Sequence, residues 1–253
     1  MIPYRDENET QRTAYVTILL IGLNVLAWLV VQGAGAALPL ARSVCNLGLI
    51  PGELTGALKP GTAFPIGEGL VCLTDPGPQV SHLVTSMFLH GSWMHLLGNM
   101  WFLWIFGNNV EDSMGRPRFV TFYLLCGLAA AMLQVVFNPD SKIPMVGASG
   151  AISGVMGGYL VLYPRVRVFA MVPIGFMLTS VALPAWTMLV YWLVLQVLGG
   201  VTAVGSETGG VAFWAHVGGF VAGLALIKPF ARSDYVDAHK THHWQPRRLV
   251  RRP

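Results

Sequence analysis

Long apolar stretches, separated by polar or Gly- and Pro-rich segments, recur along the whole chain. A helix needs about 20 residues to cross the hydrocarbon core of a bilayer. Six stretches approach that length and predict an all-α, polytopic membrane protein: Ala14–Val31, Phe88–Gly107, Phe119–Phe137, Ser149–Tyr163, Pro184–Gly200 and Val211–Ile227. Residues 165–183 are also apolar but are interrupted by Pro173 and Gly175, so we interpret them as an interfacial or partly inserted connection.

The fourth stretch is too short to cross a bilayer alone. Pro144 and Gly147 discourage helix immediately upstream of Ser149, which predicts a short central helix that begins inside the membrane. Irregular backbone at that depth is tolerated only where it is buried in protein or lines a water-filled cavity. We therefore expect a cavity at Ser149 and interpret it as an active site.

The composition agrees with a membrane protein. Of 253 residues, 54% are hydrophobic and 11% are charged, and the mean hydropathy is +0.57. Soluble domains carry about 25% charged residues. The net charge of +4 comes largely from four arginines in the tail: Arg247, Arg248, Arg251 and Arg252. A basic tail beside a span more often sets topology or contacts anionic lipid than binds nucleic acid, so we expect no nucleic-acid partner.

The basic residues also predict the orientation. With the N-terminus in the cytoplasm, thirteen Lys or Arg residues fall inside and three fall outside, namely Arg42, Lys59 and Lys142. Without Lys240 and the last four arginines, eight basic residues still lie inside, compared with three outside. We predict that both termini are cytoplasmic, in a bacterial cytoplasmic (inner) membrane. The predicted division is a cytoplasmic segment 1–13, a six-span domain 14–228 and a basic tail 229–253.

The first outer loop, residues 32–87, is unusually long and carries Cys45 and Cys72. Thiols outside a bacterial-type cytoplasmic membrane are in surroundings that permit disulfides. We predict a bridge between these two cysteines, and the alternative is two unpaired thiols. At the other end of the chain, glycines surround the loop Val201–Gly210. We expect this loop and the fifth span to gate substrate entry.

Ionisable groups inside spans are costly and are functional candidates by default. Here they are three histidines, His90, His95 and His216, and Asn99 follows His95 by one helical turn. Counted from the cytoplasmic ends at about 1.5 Å per residue, Ser149 lies at about 21 Å, His95 and His216 at about 18 and 17 Å, and Asn99 at about 12 Å. These four groups share one layer in the outer half of the membrane, which indicates a site that opens to the outer face.

This set of side chains suits acyl transfer. A serine hydroxyl needs a neighbouring base, so we assign Ser149 as the nucleophile and His216 as the base. The oxyanion needs donors, which the Ser149 backbone N–H, His95 and Asn99 can supply. No carboxylate lies within a span, and we therefore predict a Ser–His dyad without a third member. Taken singly, each signal has an ordinary structural alternative, such as a helix cap or an interhelical hydrogen bond.

Small residues predict that spans four and six pack closely. They recur every four residues, a spacing that lets helix backbones touch. The residues are Gly150, Gly154 and Gly158 on span four, and Ala215, Gly219 and Gly223 on span six, with Gly147 beside the nucleophile. Since Ala215 adjoins His216, this packing should bring the imidazole towards Ser149.

In this order, three motifs resemble the rhomboid family of intramembrane serine proteases, in its bacterial six-span form. They are His90-Gly-Ser-Trp-Met-His95-Leu-Leu-Gly-Asn99, Gly147-Ala-Ser149-Gly150 and Ala215-His216-Val-Gly-Gly219. The resemblance implies the roles assigned above, and cleavage of a peptide bond in or near a transmembrane helix of a substrate protein within the lipid bilayer. It implies no metal and no other cofactor. Glu111 resembles a family acidic residue with a structural role.

Two positions depart from the family pattern. Many relatives carry Trp-Arg where this chain has Ser81-His82, so no guanidinium can anchor the loop. Many also place an aromatic ring four residues after the nucleophile, where this chain has Ser153, so the catalytic imidazole must be oriented in another way. The main alternative function is a non-catalytic membrane chaperone or binding protein for transmembrane helices. A small transporter is disfavoured because no charged relay crosses the spans.

Overall fold

The computed structural model describes residues 2–67, 69–174, 177–203 and 211–237. The chain is mostly helical. The helices are α1 (Tyr15–Leu26), α2 (Ala37–Leu47), α3 (Pro51–Leu54), α4 (His82–Thr85), α5 (Trp93–Phe102), α6 (Asn108–Met114), α7 (Arg116–Phe137), α8 (Ser149–Leu162), α9 (Ala185–Thr202) and α10 (Phe213–Phe230). A π-helical segment, Ala27–Val31, extends α1, and another, Leu103–Gly107, joins α5 to α6. Most of the expected gating loop and the four tail arginines lie outside the described residues.

Strands occupy two places where the sequence predicted none. They are β1 (Ile2–Asp6), β2 (Ala63–Gly67), β3 (Leu70–Leu73), β4 (Arg167–Ile174) and β5 (Met177–Pro184). The first sheet has the antiparallel order β1-β4-β5, and the second is the β2-β3 hairpin. The all-α prediction is therefore wrong for β4 and β5, which pair with each other, and β4 also pairs with the N-terminal strand β1. The pairing satisfies backbone groups that an irregular connection would leave open.

Among the described residues, three helices are long and apolar enough to cross a membrane, judged by length and composition: α7, α9 and α10. Two shorter apolar helical runs, Tyr15–Val31 and Ser149–Leu162, accompany them. Helix α8 is enclosed by the other helices, since every residue from Gly150 to Tyr159 is buried. By contrast, five of the eighteen residues of α9 are buried. The helix that starts at Ser149 is thus surrounded by protein, whereas α9 lies at the periphery.

Helices α8 and α10 approach each other through their glycines. A Cβ atom added to Gly219 would overlap the carbonyl oxygen of Gly150, and one added to Gly223 would overlap that of Gly154. At the same place, a Cβ at Gly150 would lie 2.6 Å from the methyl group of Ala130 on α7. Side chains at these positions would force the backbones apart, so the glycine pattern sets the spacing of the helices.

Glu111 links helix α6 to the beginning of helix α1. It lies in α6 and is buried, and its carboxylate accepts hydrogen bonds from the backbone N–H groups of Val16 and Thr17 at 3.0 and 2.7 Å. The hydroxyl of Thr17 donates a third bond at 2.8 Å. Because the first N–H groups of a helix have no partner within it, the carboxylate caps α1.

The segment that connects α1 to α5 is held to the region of Ser149. Cys45 in α2 and Cys72 in β3 form a disulfide with a Cα–Cα distance of 5.7 Å. Leu49 pairs with Met145, four residues before the nucleophile, through two backbone hydrogen bonds of 3.0 and 2.7 Å. In place of a guanidinium, the buried His82 side chain lies 4.0 Å from the buried carboxylate of Glu53.

Candidate active site

Ser149 is the first residue of α8, and the backbone before it has an unusual conformation. Gly147 has φ +130°, in the range that favours glycine, and its N–H donates to the Ser86 carbonyl at 2.9 Å. Helical geometry then starts at once, with the Ile152 N–H bonded to the Ala148 carbonyl. The turn leaves the Ser149 side chain half-buried at the start of a helix, among the residues that line a cavity.

His216 faces Ser149 from the first turn of α10. The imidazole Nε2 lies 2.8 Å from Ser149 Oγ, within hydrogen-bonding distance. On the other side of the ring, Nδ1 lies 2.8 Å from Oε1 of Gln196, a residue of α9. The Trp192 ring, one turn earlier on α9, lies 5.7 Å from the imidazole between ring centroids. The ring is therefore held between α8 and α9.

His95 approaches the same point from α5. The hydroxyl of Ser92 caps this helix by accepting from the His95 N–H at 3.1 Å. The Gly91 N–H donates to His95 Nδ1 at 3.2 Å, so in the neutral ring Nε2 carries the proton and can donate. A Cβ atom at Gly147 would lie 2.8 Å from that Nε2, which shows how closely the ring packs against the backbone before Ser149.

Asn99 lies one turn after His95 on the same face of α5. Its side chain is 7% exposed, and its Nδ2 has no hydrogen-bond partner among the described residues. A buried amide without a partner costs free energy, which suits a donor reserved for a bound oxygen atom. His95 Nε2 and Asn99 Nδ2 are thus two donors without an assigned acceptor on one helix face.

A cavity of about 910 Å³ joins these groups. His95, Asn99, Ser149 and His216 all line it, together with Trp192 and Gln134. The cavity is lined from α5, α7, α8, α9, α10 and the segment before Ser149. The structure therefore brings the four predicted polar groups to one cavity. The predicted packing glycines of α8 and α10 do not line it, and they lie instead at the helix contact.

His90 differs from His95 and His216 in its surroundings. The amide of Gln32 holds its backbone by two hydrogen bonds of 2.8 Å, one to the N–H and one to the carbonyl. The His90 ring is fully buried, lies edge-on to His95 with centroids 5.1 Å apart, and has no hydrogen-bond partner among the described residues. This position indicates that the His90 ring supports the His95 ring.

Two glutamines were missed by the sequence reasoning, which predicted no third group beside the histidine. Gln196 contacts the His216 ring, and the Oε1 of Gln134 on α7 accepts from the Ala215 N–H at 3.2 Å. Ser153 does not take this role, because its hydroxyl donates to the Ser149 carbonyl at 2.6 Å within the same helix. The available signal was a single amide side chain within an apolar segment, Gln134 on α7 and Gln196 on α9.

A bundle of apolar helices that carries a Ser–His pair beside a cavity defines a class of membrane protein, and comparison with known families identifies it. The Rhomboid domain matches residues 77–233. The chain belongs to the rhomboid family. With this match and its apolar helices, it is an integral membrane protein.

Individual relatives match shorter regions. Rhomboid-like protease 5 of Toxoplasma gondii is 33% identical over 153 residues, which cover 58% of this chain and 16% of the relative. RHOMBOID-like protein 7 of Arabidopsis thaliana is 32% identical over 152 residues, or 58% of this chain and 42% of the relative. Rhomboid protease GluP of Bacillus subtilis (strain 168) is 40% identical over 78 residues, or 31% of this chain and 15% of the relative. The chain spans less than half the length of each of these relatives.

Proposed function

We propose that the protein is an intramembrane serine endopeptidase that cleaves transmembrane segments of other membrane proteins. The observation that carries the proposal is the distance of 2.8 Å between Ser149 Oγ and His216 Nε2 beside a cavity. Nucleophile and base must lie within about 2.6–3.2 Å of each other for the hydroxyl proton to be transferred. Membership of a family that contains proteases, GluP among them by name, adds support.

In the proposed reaction, Ser149 Oγ attacks the carbonyl carbon of the scissile peptide bond while its proton passes to His216 Nε2. The carbonyl oxygen becomes an oxyanion, which the Ser149 backbone N–H, His95 Nε2 and Asn99 Nδ2 stabilise. The imidazolium then protonates the leaving amine as the C–N bond breaks, which leaves an acyl-enzyme on Ser149. Water, deprotonated by His216, attacks the ester, and the hydroxyl proton returns to Ser149 as the second product leaves.

The proposal includes six spans, with the short α8 at the centre. The enclosure of α8 by other helices supports this arrangement, because a helix that begins at mid-depth needs protein around its irregular approach. We propose cytoplasmic termini, a cavity open to the outer face and a bacterial cytoplasmic membrane. The six-span domain then covers residues 14–228, between a short N-terminal segment and the basic tail.

Reconstitution with a model transmembrane substrate tests the proposal. We expect Ser149→Ala and His216→Ala to abolish cleavage while substrate binding is retained, and a serine-directed fluorophosphonate to label the wild type but not Ser149→Ala. Ser43→Ala is the matched control, because Ser43 is a buried serine of α2 whose hydroxyl bonds the Leu40 carbonyl within its own helix. If Ser149→Ala leaves function unchanged, the non-catalytic chaperone or binding protein replaces the protease.

A further inference from the structure

Gln196 is the polar side chain that α9 presents to the proposed base. It is 9% exposed in a helix that is otherwise almost wholly apolar, and its Oε1 lies 2.8 Å from His216 Nδ1. Its Nε2 points the other way, towards the Trp192 carbonyl at 3.4 Å. The amide group thus has its donor facing a carbonyl and its acceptor facing the ring.

We infer that Gln196 is a positioning residue of the proposed protease, which fixes the tautomer and the orientation of His216. This inference rests on the proposed function. An amide oxygen only accepts hydrogen bonds, so the ring nitrogen that faces it, Nδ1, carries the proton. In a neutral imidazole the other nitrogen, Nε2, then has the free lone pair. That lone pair faces Ser149 Oγ, as a general base requires.

The opposite tautomer would be unproductive. With the proton on Nε2, the imidazole would donate to Ser149 Oγ. The lone pair would then be on Nδ1, which faces away from Ser149 and cannot take the hydroxyl proton. Nδ1 would also meet the Gln196 oxygen as acceptor against acceptor, which is unfavourable. The same logic governs the third member of triads, where an asparagine can replace the aspartate in Cys–His enzymes.

A neutral amide suits the depth of the site. An ionised carboxylate buried among apolar helices costs far more free energy than an amide with hydrogen-bond partners. Trp192 and Gln196 are four residues apart and therefore share one face of α9. Gln196 bonds the His216 ring, and the Trp192 ring lies 5.7 Å from it between centroids. The side chains that orient the imidazole therefore come from α9, whereas α8 contributes the nucleophile Ser149.

The contact between α9 and α10 depends on two glycines near the end of α9. A Cβ atom at Gly200 would lie 3.0 Å from the Trp214 ring, and one at Gly199 would overlap the Phe213 ring. These contacts bring α9 against the first turn of α10, next to His216. The orientation of the base is therefore a property of how α9 is seated, and not of α10 alone.

The test replaces Gln196 in the full-length, reconstituted protein and measures kcat and KM with a model transmembrane substrate. Gln196→Met keeps the length of the side chain but removes the acceptor. We expect kcat to fall by about 10- to 100-fold, because a misoriented base loses part of the rate enhancement that a general base gives. KM should change little. Gln196→Glu keeps an acceptor oxygen, and we expect the folded variant to retain most of kcat while its melting temperature falls, because a buried carboxylate is costly. Val197→Met, on the exposed adjacent position, is the matched control and should behave as the wild type.

Two outcomes overturn the inference alone: full kcat in Gln196→Met, or loss of kcat in Gln196→Glu as large as in Gln196→Met. Absence of cleavage and of fluorophosphonate labelling in the wild type overturns the proposed function and the inference together. A second measurement needs no folded Gln196 variant. The ¹⁵N shifts of the His216 ring in the wild type, assigned by their loss in His216→Ala, should show the proton on Nδ1, and a proton on Nε2 refutes the inference.

Discussion

At Gly147, one added methyl group should disable the site while leaving the fold intact. In Gly147→Ala the new Cβ would lie 2.8 Å from His95 Nε2 and 2.9 Å from Cε1 of the same ring. Ordinary van der Waals contact for a Cβ begins at 3.4 Å, so the ring or the backbone must move by about 0.6 Å. Both neighbours belong to the proposed machinery, since His95 is an oxyanion donor and Ser149 follows two residues later.

The expected loss of activity is about 100-fold in kcat. A misplacement of about 1 Å costs about that factor in an oriented active site, and removing one oxyanion-hole donor costs about 10²- to 10³-fold. The loss of stability should be smaller. A non-glycine residue at φ +130° stores about 1–3 kcal/mol of backbone strain, which lowers the melting temperature without abolishing folding.

The assay pairs cleavage of a reconstituted transmembrane substrate with thermal unfolding of the same preparation. Gly22→Ala is the matched control, because an added Cβ there meets nothing within 4 Å and the position is exposed on α1. We expect the control to keep wild-type activity and to be as stable or up to about 1 kcal/mol more stable. A Gly147→Ala protein with at least half of the wild-type kcat would refute the placement of His95 against this backbone.

Three further predictions concern the scaffold. Gly219→Ala should separate α10 from α8 at the Gly150 carbonyl, lengthen the Ser149–His216 contact and lower kcat by at least about 10-fold, measured by substrate cleavage. Glu111→Ala should strand three buried donors at the start of α1 and lower the free energy of unfolding by about 3 kcal/mol or more, read from thermal or denaturant unfolding. Replacing both bridged cysteines by serine should cost about 3.5 kcal/mol for a sequence separation of 27, and free-thiol mapping of the wild type should find neither cysteine reactive.

The two single substitutions have matched controls. Gly22→Ala serves for the glycine substitution, and equal kcat in Gly219→Ala would show that the helix contact does not position the base. Glu9 is exposed, so Glu9→Ala should leave stability unchanged, and an equal effect of both glutamate variants would contradict the cap. For the bridge, alkylation of both cysteines without reductant would contradict the disulfide.

The positions of the chemical groups along their helices could be predicted from the sequence alone. Rise per residue along a helix is constant, so distances counted along the spans could predict that Ser149, His216 and His95 share a layer. The four-residue spacing of glycines likewise marked the face that α10 presents to α8, because a helix repeats its face every turn. Family membership follows from the same motifs and is supported by the match over residues 77–233.

Which groups meet across helices depends on helix packing, which the local sequence does not show. Gln196 is a single glutamine in an apolar helix. Nothing in the sequence around it shows how that helix is rotated or which neighbouring helix the amide faces. Packing against Phe213 and Trp214 sets that rotation, and it turns the amide towards His216. The strands could not be predicted for a similar reason, because β4 pairs with β1, which lies more than 160 residues earlier in the chain. Local spacing fixes height and face along one helix, whereas rotation and strand pairing depend on partners that are distant in the chain.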